Sequence, residues 1–100
     1  MAKSALIGAE AALKVLPLWA SPHGRDALIR NLKFPDFASA FGFMAQVALI
    51  AEKMDHHPEW SNVYDRVEIL LTTHEADGVT ERDLILAQAI DVAARAAGAL

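Results

Sequence analysis

The stretch Glu59-Trp60-Ser61-Asn62-Val63-Tyr64-Asp65-Arg66-Val67-Glu68-Ile69-Leu70-Leu71-Thr72-Thr73 decides the fold. Val67, Ile69 and Leu71 alternate with Glu68, Leu70 and Thr72, the period of two expected of a strand buried on one side. A joint at Asp65-Arg66 predicts two strands, Glu59 to Tyr64 and Val67 to Thr73, running antiparallel as close neighbours. Pairing about that joint sets His57 opposite His74. The hairpin is thus expected to carry histidines at its open end.

Upstream, Pro35 and Asp36 open the longest helix, which reaches about Lys53. Proline is tolerated in a first turn, where its missing N–H has no partner to lose. Phe37, Phe41, Met44, Ala48 and Ala51 form one apolar stripe, and Phe43, Val47, Ile50 and Met54 form a second beside it. One stripe suffices for packing in a monomer, so the second is expected to face another subunit. Ala27 to Phe34 reads as a strand. A helix is expected from Ser4 to Leu16, ended by Pro17, and Ser21-Pro22-His23-Gly24 reads as a turn. Downstream, Thr80-Glu81-Arg82-Asp83 resembles a capping box with Asp in the fourth place. It starts a helix to about Ala97, on which Asp91 and Arg95 form an i,i+4 pair of opposite charge. The expected architecture is α+β, one domain over residues 1–100. Its order is α-β-β-α-β-β-α, with a four-stranded antiparallel sheet and helices on one face.

Composition removes several functions. The 100 residues carry 9 Lys and Arg against 13 Asp and Glu, a formal net charge of −4, which argues against direct nucleic-acid binding. At 54% hydrophobic and 22% charged, the chain has enough apolar surface to fold. It has no cysteine, hence no disulfide, thiolate metal site or cysteine nucleophile. The nearly apolar run from Phe41 to Ala51 falls short of the roughly 20 residues of a membrane span. Glu10 and Lys14 interrupt the only N-terminal apolar stretch. A cytoplasmic protein without a membrane partner is expected.

Histidines are the residues left for chemistry. His56 and His57 are adjacent, and Pro58 restricts His57 to extended backbone, so the helix must end before it. No pair of histidines has the spacing that puts two nitrogens on one helix face, so no metal is expected, although Glu75 lies within reach of such a set. His23, alone in its turn, reads as structural. General acid–base work fits His56, His57 and His74 better, since imidazole titrates near neutral pH. No glycine-rich phosphate loop or serine nucleophile elbow is present. The reaction class narrows to elimination, addition or isomerisation, with no cofactor. Trp60 and Phe41 are candidate flat walls for a planar heterocycle, with plain core packing the alternative.

Ala40-Phe41-Gly42-Phe43-Met44, Glu52-Lys53-Met54-Asp55-His56-His57-Pro58-Glu59-Trp60, Asn62-Val63-Tyr64, Thr73-His74-Glu75 and Gly78-Val79-Thr80-Glu81-Arg82-Asp83 follow in that order. Together they resemble the pterin-4a-carbinolamine dehydratase family, from about Trp19 to Ile90 and most strongly from Phe37 to Asp83. The resemblance implies dehydration of 4a-hydroxytetrahydrobiopterin to quinonoid dihydropterin, without cofactor, in support of tetrahydropterin recycling. It implies His56, His57 and His74 as catalytic residues and His56, His57, Pro58, Trp60, Thr73, His74, Glu75 and Ala76 as the pterin contacts. Glu52, Asp55 and Asp83 would support them. It also implies homodimers formed through the sheets or homotetramers formed through the long helix. Two alternatives stay open: a non-catalytic dimerisation or transcription-cofactor module of the same fold, and a dehydratase for another pterin.

Overall fold

A computed structural model describes residues 5–100, so the expected helix start at Ser4 lies outside the described residues. Helix α1 spans Ala9–Leu13, strand β1 Leu28–Lys33, helix α2 Phe37–Met54, strand β2 Glu59–Val63, strand β3 Arg66–Leu71 and helix α3 Glu81–Ala96, with a short 3-10 turn at His74–Ala76 between β3 and α3. The three strands form one antiparallel sheet in the order β1-β3-β2.

The expected four-stranded sheet is therefore corrected to three strands among the described residues. What stands at the β1 edge is a single bridge, with Ala20 and Ile29 exchanging N–H···O bonds of 2.9 and 2.8 Å. The next bonded pair would need an N–H from Pro22, which has none, and on the other side the chain turns at Pro17 and Leu18. The ladder stops after one rung. The expected order, with its first pair of strands, fails at the same place.

One face of the sheet buries Leu28, Leu32, Val67, Ile69 and Leu71, while Asn31, Lys33, Ser61, Val63, Arg66 and Glu68 face outward on the other. Helices α2 and α3 cover the buried face. Phe34, just past β1, meets Phe43 of α2 with ring centroids 4.8 Å apart and both rings fully enclosed. Each such side chain contributes about 2–3 kcal/mol through removal from water.

The two stripes of α2 do not divide between core and outer face as expected. Phe43 and Val47, assigned above to a partner subunit, lie in the core with Ala40 and Ala51. Phe37, Phe41 and Leu49 are exposed instead, and the rings of Phe37 and Phe41 lie 5.9 Å apart. Spacing alone cannot rank two apolar stripes. The buried arc is Ala40, Phe43, Val47 and Ala51, which takes Ala51 from the first stripe and Phe43 and Val47 from the second. At 18 residues and a mean hydropathy of 1.2, α2 also has the length and composition of a short membrane span. Its packing against α3 and β3 makes it the central helix of this domain.

Helix α1 is shorter than expected, because Leu6 bridges to Thr80 and the N–H groups of Ile7 and Gly8 both bond Val79 O. Gly8, the residue before the helix, has φ 90° and ψ 146°, a conformation open essentially to glycine alone. It offers no side-chain cap. Asp26 supplies one from a distance, its Oδ1 accepting from Ala9 N at 2.7 Å. The same carboxylate accepts from Val79 N at 3.1 Å, and the Asp26 carbonyl accepts from Thr72 Oγ1 at 3.0 Å. One residue thus ties α1, the end of β3 and the entry to α3 together. The expected Asp91–Arg95 pair does not form; Asp91 Oδ1 instead accepts from Trp19 Nε1 at 2.8 Å and from Arg30 Nη1 at 2.6 Å.

Candidate active site

The hairpin register differs from expectation by two residues. Val63 pairs with Arg66 and Glu59 with Leu70, so the turn is Tyr64-Asp65. Tyr64 takes φ 52°, costly for a bulky residue. Asn62 holds the turn, its Nδ2 donating to Tyr64 O at 3.1 Å and Arg66 O at 2.8 Å. In this register His57 and His74 are not cross-strand partners. They lie just before β2 and just after β3, at the same end of the hairpin.

Helix α2 ends in a Schellman motif. Asp55 adopts the left-handed conformation, φ 54° and ψ 41°, Asp55 N bonds Glu52 O at 3.1 Å, and His56 N reaches back to Ala51 O at 3.1 Å. Asp55 therefore turns the chain so that His56 points inward and His57 outward. The His56 side chain is only 8% exposed, against 55% for His57 and 73% for His74.

Each ring has its own carboxylate, and each uses Nε2 to reach it. His56 meets Asp83 Oδ1 at 2.6 Å, His57 meets Glu52 Oε1 at 2.8 Å, and His74 meets Glu59 Oε2 at 3.0 Å. An ionised carboxylate can only accept, so Nε2–H donates in every case. Among the described residues no hydrogen bond reaches Nδ1 of any of the three rings. Each neutral ring is thereby set as the Nε2–H tautomer, with Nδ1 as the atom able to accept a proton.

Asp83 is the most enclosed of these partners. It is fully buried at the third position of α3, in the capping box expected from the sequence, where a helix N-terminus favours an anion. Its Oδ2 accepts from Thr80 N at 2.9 Å and from Thr73 Oγ1 at 2.7 Å. Because Thr73 spends its proton on Asp83, it accepts from Thr80 Oγ1, 2.7 Å away. Every buried side-chain polar atom among the described residues has a partner.

The remaining candidates fall around this core. The Thr73 side chain is buried in the Asp83 network, and its N–H donates to Gly78 O at 2.9 Å. Ala76 N closes the 3-10 turn on Thr73 O at 3.1 Å. Glu75 is exposed, bonded to Arg82 Nη2 at 2.8 Å. That hydrogen bond holds its carboxyl below the usual carboxylate range, with a smaller pull from His56. Pro58 and Trp60 are half-buried, Trp60 opposite Ile69 on the helix-covered face. Phe41 lies on the outer face of α2. Asp55 is exposed and acts through its backbone alone, with no side-chain hydrogen bond among the described residues.

Two residues at the site were not singled out from the sequence. Glu59 holds His74, and Arg25 grips Glu59 with two bonds of 3.1 and 3.0 Å. These bonds, first from Arg25 and then from His74, pull the Glu59 carboxyl down to about 2. Beside them a cleft of about 280 Å³ is lined by Gly24, Arg25, Asp26, Thr72, His74 and Asp77. A larger cleft of about 380 Å³, between Asn31, Ser61, Arg66 and Leu100 on the open face of the sheet, has no histidine in its lining. No group of three metal-ligating side chains occurs among the described residues. The arrangement can therefore give and take protons beside a small cleft.

Comparison with known proteins points the same way. The profile of the family described as pterin 4 alpha carbinolamine dehydratase matches residues 7–93. A protein of Nitrobacter winogradskyi named as a pterin-4-alpha-carbinolamine dehydratase is 57% identical over 89 residues, 89% of this chain and 88% of its own. One from Rhodopseudomonas palustris bearing the same name is 61% identical over 84 residues, 84% of this chain and 83% of its own. A crystal structure of a transcriptional coactivator/pterin dehydratase from Brucella melitensis is similar with a TM-score of 0.82 at 52% identity, covering 85% of this chain and 90% of that one.

Proposed function

This chain belongs to the pterin-4a-carbinolamine dehydratase family, and on that premise we propose that it dehydrates pterin 4a-carbinolamine through His56, His57 and His74. The enzyme is a hydro-lyase. One imidazolium gives a proton to the departing 4a-hydroxyl, which leaves as water, while a neutral imidazole takes a proton from a ring nitrogen. The electron pair of that N–H bond forms the new C=N bond, yielding quinonoid dihydropterin. No oxidant or reductant is needed, because the substrate supplies both the leaving group and the electrons.

The observation that carries this reading is the repeated pairing of an imidazole Nε2 with a carboxylate, three times at one end of one hairpin. A general acid or base must be held at a set angle and in a set tautomer, and a carboxylate on the far nitrogen does both. His57 and His74 are the accessible rings and exchange protons with substrate. His56, enclosed with Asp83, lines the site beside Glu75. The backbone at Thr73, Glu75 and Ala76 contacts the pterin edge, with Pro58 and Trp60 flanking it and Glu52, Asp55 and Asp83 in support.

The whole 100-residue chain acts as one catalytic domain, in the cytoplasm, as a homodimer or homotetramer. Two features support assembly: the unpaired edge of β2 and the exposed Phe37, Phe41 and Leu49 of α2. The test of function is stopped-flow dehydration of 4a-hydroxytetrahydropterin with chelator present. Acceleration over buffer is expected, and a rate equal to buffer overturns the reading. The second reading, a non-catalytic module, rests on the same face of α2 and predicts that equality.

A further inference from the structure

Arg25 and Glu59 form an ion pair in which both side chains are 45% exposed. Such a pair contributes little to stability, since water and salt screen it. Its geometry is nonetheless highly constrained. Arg25 Nη1 and Nη2 each take one oxygen of Glu59, at 3.1 and 3.0 Å, and His74 Nε2 shares the second oxygen at 3.0 Å. The planar fork of arginine fixes the carboxylate plane as well as its position. Arg25 is itself well founded, because the next residue, Asp26, is bonded to Ala9, Thr72 and Val79. Glu59 belongs to a strand paired with β3.

His74 needs such help. It begins a 3-10 turn and is the most exposed of the three rings, so packing does not hold it. The other acidic residues lining the cleft beside it are Asp26 and Asp77. Asp26 spends both oxygens on backbone amides, and among the described residues no side-chain bond joins Asp77 to His74.

We propose that Arg25 and Glu59 are positioning residues for His74: Glu59 locks the ring as its Nε2–H tautomer, and Arg25 locks Glu59, so that proton exchange with substrate runs through Nδ1. The proposal rests on the reading of His74 as catalytic. Neither positioning residue touches the reacting atoms.

The test compares Glu59→Gln, Arg25→Gln, the double variant and His74→Ala in the full chain. Because both positions are surface sites, the variants fold, and an unchanged thermal midpoint verifies it. Glu59→Gln is expected to lower kcat by about 10–100-fold with KM little changed, the usual cost of removing a partner from behind an active imidazole. Arg25→Gln lowers it by a smaller factor, and the double variant is no slower than Glu59→Gln, since both act on one ring. The 15N resonances of the neutral His74 ring give a readout that a purely structural role would not move. They report the Nε2–H form in wild type and a mixture of tautomers in Glu59→Gln. If His74→Ala is inactive while Glu59→Gln keeps its kcat and a pure Nε2–H ring, the positioning role is wrong and the catalytic reading stands. If His74→Ala retains full activity, both fall together.

Discussion

His56 Nε2 lies 2.6 Å from Asp83 Oδ1, and this one buried bond joins the end of α2 to the start of α3. Asp83 thereby serves two purposes. It closes the capping box of α3 and fixes the tautomer of a site histidine. Asp83→Ala leaves Thr73, Thr80 and His56 without their shared acceptor, at a cost on the order of 3 kcal/mol in urea unfolding. Thr80→Ala, which removes one cap and one hydroxyl, is expected to cost about 1 kcal/mol. Equal and negligible losses for both would mean that the network is not formed.

Two glycines separate close approach from mere flexibility. A Cβ at Gly78 would collide with Asp26 Oδ2 and lie 2.5 Å from Leu6 Cδ1, so Gly78→Ala must push the Asp26 knot aside. A loss of about 1–3 kcal/mol is expected. A Cβ at Gly42, inside α2, meets nothing within 4 Å. Gly42→Ala is expected to gain about 0.5–1 kcal/mol from helix propensity. Thermal denaturation of the two variants should move in opposite directions.

The Glu59 carboxyl makes the stability of the fold depend on pH. Its folded value of about 2 lies below the ordinary 4.5, held there by Arg25 and then His74. A depressed carboxylate adds stability above its unfolded value and loses it as pH falls through its folded value. Its contribution to stability is therefore complete at neutral pH and declines between about 4.5 and 2, and the ion pair itself opens only as pH falls through about 2. Carbon-detected NMR titration of Glu59 should give a midpoint near 2 in wild type, rising toward 4.5 in Arg25→Gln. A wild-type midpoint at the ordinary value contradicts the bidentate pair.

The assembly proposed above would use a different face of α2 from the one that builds the core. Phe43→Glu buries a charge in the core and should unfold the chain, because Phe43 is 1% exposed. Phe41→Glu, at a position 58% exposed, should leave the fold intact and reduce the sedimenting mass. An unchanged mass in folded Phe41→Glu removes this face from the interface.

The legible parts of this molecule are those set by near neighbours in sequence. The period-two run of β3 and the Thr80–Asp83 capping box act within a few residues, and the three histidines stand out with their motif. Pro35-Asp36 marks the start of α2, though Pro35 lies before the helix rather than in its first turn, and Asp36 is the cap, accepting from Ser39 N at 2.8 Å. What escaped is long-range or depends on a single turn. The hairpin register hangs on whether Tyr64 or Asp65 begins the turn, a choice set by Asn62 bonding Tyr64 O and Arg66 O. The Asp26 knot reaches Ala9, Thr72 and Val79, and Arg25 reaches Glu59 34 residues away, so no local pattern announces them. Among the described residues no fourth strand forms, because Pro22 lacks the N–H that the next rung beyond Ala20 needs. Ranking the stripes of α2 required knowing where the sheet lies.

In the proposed mechanism, carboxylate-held histidines carry the dehydration without metal. The most direct measurement is the single-turnover rate of 4a-hydroxytetrahydropterin dehydration by His57→Ala and His74→Ala, each shown to be folded by circular dichroism. Both variants are expected to lose at least about 100-fold, the usual contribution of general acid–base groups. Rates near wild type in both folded variants would contradict it.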